Sequence, residues 1–76
     1  MILHIEATLP PENVHASELQ HFFAPEGMSL KELVSLLYPG GREGVILPFV
    51  NGEPGRPDTM LRDGDKVFMT VFITGG

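Results

Sequence analysis

Apolar and polar residues alternate at the start of the chain. In Met1–Leu9 (MILHIEATL), Leu3, Ile5 and Ala7 alternate with His4 and Glu6, the period of a half-buried strand. Pro10-Pro11 ends it, because a proline pair cannot continue a sheet ladder. Glu12–Glu18 is polar and reads as loop, and Leu19–Ala24 (LQHFFA) is apolar and aromatic enough for a second strand, closed by Pro25-Glu26-Gly27. The two strands are expected to form a hairpin with a long connection. The period then changes. Leu30, Leu33, Val34 and Leu37 recur at helical spacing, with Tyr38 extending the stripe. Ser29 and Glu32 stand at the spacing of a capping box, and Pro39-Gly40-Gly41 supplies the stop.

The second half returns to strand patterns. Val45–Val50 (VILPFV) is a short apolar run whose Pro48 points to an edge strand or a bulge. Asn51-Gly52 is a tight-turn signal, since both residues tolerate positive φ. Glu53–Asp58, with Pro54, Gly55 and Pro57, reads as loop, and Met60 and Leu61 as apolar residues that pin it. Asp63-Gly64-Asp65 is a further turn before a last strand, Lys66–Ile73. Val67, Met69, Val71 and Ile73 fall on one face of that strand, and Phe68, Thr70 and Phe72 on the other. The order strand, strand, helix, strand, strand predicts an α+β fold, a mixed sheet of four to five strands with one main helix packed across it. The first and last strands are both rich in apolar residues, so both belong at its centre as parallel neighbours, with the helix in the crossover. This is the β-grasp arrangement, with residues 1–73 as one domain and 74–76 as a flexible diglycine tail.

Composition narrows the function. A chain of 76 residues can build one small core and little else. An apolar share of 42% is too high for disorder. No Cys is present, which removes thiolate metal sites and thiol nucleophiles. Five Lys and Arg against ten Asp and Glu give a net charge of −5, which argues against nucleic acid and anionic membranes as partners and suits docking on a basic protein surface. No apolar run approaches the roughly 20 residues of a spanning helix, and no signal-peptide pattern stands at the start, so a cytoplasmic protein is expected.

Candidate chemistry is sparse. His4, His15 and His21 are separated by eleven and six residues, which matches no compact ligand motif, and they read as scattered surface or half-buried side chains. Asp58, Asp63 and Asp65 lack the closing Glu of a calcium loop, so Asp63 and Asp65 read as turn residues bonding their own backbone. The final Gly75-Gly76 follows an apolar strand with only Thr74 between. Lacking Cβ atoms, these glycines can enter a narrow channel, and the α-carboxylate of Gly76 is their only reactive group.

The run Leu61–Gly76 (LRDGDKVFMTVFITGG) resembles the ubiquitin-like sulfur-carrier proteins of thiamin and molybdopterin synthesis, the ThiS/MoaD family. Leu61, the Asp-Gly-Asp turn, the alternating strand and the terminal diglycine match without a gap. Phe49–Glu53 resembles the family's strand and Asn-Gly turn, and Ser29–Leu37 its single helix. Val71 and Phe72 stand where the molybdopterin branch often carries prolines, so the pathway is left open. The resemblance implies a carrier, not an enzyme, serving as protein co-substrate or small subunit of a synthase complex. Gly76 would be adenylated by a ubiquitin-activating-type enzyme and converted to a thiocarboxylate for a sulfur-accepting synthase. ATP and magnesium would be used by that activating partner, with no cofactor bound by this chain. Gly75 would give the tail its freedom, and Phe68, Thr70, Phe72, Ile73 and Thr74 would meet the partner, with Arg42, Arg62 and Lys66 available at the rim. Two readings of the aromatic face stand: an exposed interface, or rings covered by the loop 10–18. Two other functions also stand: a modifier conjugated through Gly76 to lysines, and a non-catalytic β-grasp interaction domain.

Overall fold

The opening alternation becomes strand β1 (Ile2–Ala7) in the computed structural model, which describes residues 1–11, 14–39 and 45–71. Leu3 and Ile5 are buried and Glu6 is exposed, as the period of two requires. The next segment differs from expectation. Part of the expected loop 12–18 and the first residue of the expected strand 19–24 form a single helical turn, α1 (Ala16–Leu19). The Glu18 N–H donates to the His15 carbonyl at 2.9 Å, and the turn swings Leu19 into the core. The second strand is thereby reduced to β2 (Phe22–Phe23), antiparallel to β1 through Ile2↔Phe23 and Leu3↔Phe22. Met1 and Ala24 extend this ladder by exchanging N–H···O bonds of 2.8 and 2.9 Å.

Helix α2 (Leu30–Leu37) has the expected start. Ser29 Oγ accepts from the Glu32 N–H at 3.2 Å, and Glu32 Oε1 accepts from the Ser29 N–H at 3.2 Å, so two amides of the first turn are satisfied. Leu30, Leu33, Val34 and Leu37 form the buried stripe. Tyr38 leaves helical geometry (φ −129°, ψ 70°) while its N–H still reaches the Val34 carbonyl at 2.8 Å. Its side chain is fully buried, and its hydroxyl donates to the Leu9 carbonyl at 2.6 Å.

Strands β3 (Ile46–Val50), β4 (Glu53–Pro54) and β5 (Lys66–Val71) complete one sheet in the order β2-β1-β5-β3-β4. β1 and β5 are central and parallel, with Ile5 opposite Val67 and Ala7 opposite Met69; every other pairing is antiparallel. Parallel neighbours need a long crossover, and between β1 and β5 it holds β2, α2 and the β3–β4 hairpin. Asn51 and Gly52, at φ 52° and 84°, form the two-residue turn that joins β3 to β4. The expected loop Glu53–Asp58 therefore contains a short strand, which the hairpin register creates. β3 is not the edge strand that Pro48 suggested. The Pro48 carbonyl accepts from the Gly55 N–H at 2.9 Å, so its donorless nitrogen faces the side where β4 has already ended.

The core joins the α2 stripe to Leu3, Ile5, Ile46, Val67 and Met69, with Leu19, Ala24, Met28, Tyr38 and Leu61 sealing its margins. Leu61 pins the preceding loop as expected; its neighbour Met60 points outward. Gly55 lies so close to the Leu30 side chain that a Cβ would collide with it. Among the described residues no helix is long and apolar enough to cross a membrane.

Candidate functional site on the open face of the sheet

One face of the sheet is covered by α2, which leaves the even-numbered residues of β1 and β5 on the other. Phe68 stands opposite Glu6 of β1 and Phe49 of β3, and Lys66 opposite His4. Phe68 is 39% exposed and packs against Phe49 at a ring separation of 6.2 Å. Leu47 lies beyond, opposite Thr70, and is also exposed. Ile2 and Phe23 add a second exposed apolar pair at the β2 edge, with Phe23 78% exposed. Phe68 and Thr70 thus share a face, as the alternation predicted. Thr70 is half-buried, and its Oγ1 accepts from the Thr8 hydroxyl at 3.1 Å. Phe72, Ile73, Thr74, Gly75 and Gly76 lie outside the described residues, as does Arg42. Leu47 and Phe49 extend the patch from β3. Their placement follows from the β3–β5 register, which no local signal encodes.

The described part of the segment 10–18 does not cover Phe68. α1 stands beside β1 instead, and a groove of about 630 Å³ runs between α1 and the central strands, with Phe68, Glu6, His4, His21, Gln20 and Lys66 among its walls. The histidines are not all scattered. His4 and His21 meet edge to face, with ring centres 5.6 Å apart and planes at 72°. His4 Nδ1 lies 2.8 Å from the Gln20 carbonyl oxygen. A carbonyl can only accept, so Nδ1 carries the proton and, in the neutral ring, Nε2 keeps its lone pair. His15 is exposed at the start of α1, apart from the pair.

The acidic turn is structural, by a wider route than expected. Asp65 Oδ2 accepts from the Arg62 N–H at 2.8 Å, the local bond of a turn residue. Its Oδ1 accepts from Asn51 Nδ2 at 3.0 Å, and Asn51 Oδ1 accepts from the Lys66 N–H at 3.0 Å, which locks the two turns together. Asp63 corrects the sequence reading: its Oδ1 accepts from the Ile2 N–H at 2.6 Å, across the sheet to β1. The Gly64 N–H returns a bond to the Ile2 carbonyl at 2.8 Å. Asp58 is exposed and takes no part. Among the described residues no three His, Asp or Glu side chains converge as a metal site.

The open face thus carries an exposed aromatic centre flanked by a polar groove, with no nucleophile–base pair among these side chains. Comparison with family models, with curated proteins and with solved structures gives no match.

Proposed function

We propose that the chain is a β-grasp sulfur carrier whose Gly76, as a free C-terminus, is activated and loaded with sulfur by partner proteins in the cytoplasm. The observation that carries the reading is the position of β5. It is hydrogen-bonded on both sides, to β1 and β3, and rooted in the core by Val67 and Met69. The sequence beyond it runs Phe72-Ile73-Thr74-Gly75-Gly76. A strand so held is a stiff base for a tail, and Phe68 on its open side gives a partner an apolar anchor on the strand that leads into the tail.

The chemistry asks nothing of the side chains. A carboxylate is a poor electrophile until its oxygen is made part of a better leaving group. The Gly76 carboxylate attacks the α-phosphate of ATP, pyrophosphate departs, and the acyl-adenylate then loses AMP to a persulfide sulfur. A thiol then attacks the donor's sulfur in the resulting acyl disulfide, forming a disulfide with the donor and releasing the tail as a thiocarboxylate and a proton. ATP and its magnesium sit on the activating enzyme. The recipient is a synthase making a sulfur-containing cofactor of the thiamin or molybdopterin (or tungstopterin) kind. An amine in place of sulfur would turn the same adenylate into a protein conjugate.

The test is the intact mass of the chain after co-expression with the activating enzymes of the source cell. Replacement of one C-terminal oxygen by sulfur is expected. Recovery of Gly76 only in isopeptide bonds would make the protein a modifier, and an unchanged Gly76 carboxylate with every such enzyme would leave an inert interaction domain.

A further inference from the structure

We propose that His4 and His21 form a two-imidazole site for a divalent transition-metal ion, with Zn²⁺ as the probe, in the groove between α1 and β1. The inference does not rest on the reading of the tail. A histidine ligand needs an unprotonated nitrogen held in a fixed direction, and an outer hydrogen bond from its other nitrogen usually provides this. His4 has that bond: Nδ1–H donates to the Gln20 carbonyl at 2.8 Å, leaving Nε2 as the free ligand atom. The second imidazole arrives through the hairpin. Leu3 pairs with Phe22, so His4 and His21 are the next cross-strand neighbours, and their ring centres are 5.6 Å apart. Zinc binds imidazole nitrogen at about 2.0–2.1 Å, so two rings on one ion at tetrahedral to trigonal angles have centres about 5–6 Å apart. The ring centres of the pair stand at that separation.

Both rings line the groove, and no third His, Asp or Glu among the described residues converges on them. The protein thus supplies two ligands, and the remaining positions fall to water or to an imidazole or carboxylate brought by whatever docks beside Phe68. The charges around the site nearly balance. Lys66 is opposite His4 and opposes a cation, while Glu6, two residues along β1 on the same face, attracts one.

The test is titration of the full chain with Zn²⁺, followed by calorimetry and by the imidazole proton signals in NMR. One saturable site is expected, with the His4 and His21 signals shifting and those of His15 unchanged. His4→Ala and His21→Ala should each weaken binding about tenfold or more, the usual scale for loss of metal-site groups, and His15→Ala should not. His21 is exposed, so its replacement leaves the fold intact and separates loss of binding from loss of structure. Acidification should release the ion, because protons compete for the same ring nitrogens. Absence of saturable binding, or binding undiminished in His21→Ala, overturns the site.

Discussion

Tyr38 is the chain's single tyrosine, with no tryptophan beside it. The helical spacing put it on the apolar stripe and could say no more. Its hydroxyl reaches back 29 residues in sequence to the Leu9 carbonyl, a contact that only the packed structure creates. Burial raises the pKa of this phenol above its ordinary 10.0, because the phenolate would lose its hydration. The folded state therefore holds the proton more tightly than the unfolded chain. Stability is unaffected below the unfolded value and falls as pH rises through and beyond it toward the folded one. Tyrosinate absorbance, which reports this one residue, should rise later in the folded protein than in urea. Tyr38→Phe should abolish the alkaline dependence due to this group and cost about 1 kcal/mol at neutral pH, since the partly buried Leu9 carbonyl loses its donor. The two measurements are chemical denaturation across pH and the absorbance titration itself.

At the scale of elements, legibility followed locality. α2 was readable because its signals sit within one turn of each other: Ser29, Glu32 and the Leu30–Leu37 stripe. The reciprocal bonds of that box predict the effect of Ser29→Ala, a loss of about 1 kcal/mol, read as a lowered midpoint in urea with an unchanged slope. Ser29→Asp should recover most of it, because a carboxylate also accepts from the first-turn amides and favours the positive end of the helix dipole. α1 gave no such signal. His15, at its N-cap position, makes no side-chain cap bond, and the turn is held by the burial of Leu19 and by its place beside β1. The aromatic run then looked like one six-residue strand, although the strand itself spans only Phe22 and Phe23, with Ala24 continuing the ladder to Met1. β4 was equally hidden, since two residues containing a proline become a strand only when Asn51-Gly52 folds them onto β3. The meeting of His4 and His21 depends on the β1–β2 register, and the misplaced start of β2 concealed it.

For the whole molecule, the central parallel pairing of β1 and β5 was legible because both strands are rich in apolar residues and a helix separates them in sequence. The same alternation placed Phe68 on the open face. The charge of −5 suggested docking on a basic surface, yet the groove beside Phe68 carries Lys66 and two histidines against Glu6. The local surface, rather than the total, will govern which partner groups enter there. Two variants separate a carrier from an interaction domain with an inert tail. Deleting Gly75 and Gly76 removes no side chain, so thermal unfolding should stay within a degree or two of the parent. Phe68→Ala trims a side chain already 39% exposed and should cost well under the several kcal/mol of a core truncation. A carrier predicts that the deletion abolishes adenylate formation outright. It also predicts that Phe68→Ala keeps the acceptor carboxylate and raises the concentration of carrier needed for half-maximal adenylation, measured as pyrophosphate release by the activating enzyme. An interaction domain predicts the reverse pattern in any binding assay: loss with Phe68→Ala and none with the deletion. The comparison isolates the carboxylate of Gly76 from the surface that presents it, since each variant removes one and leaves the other.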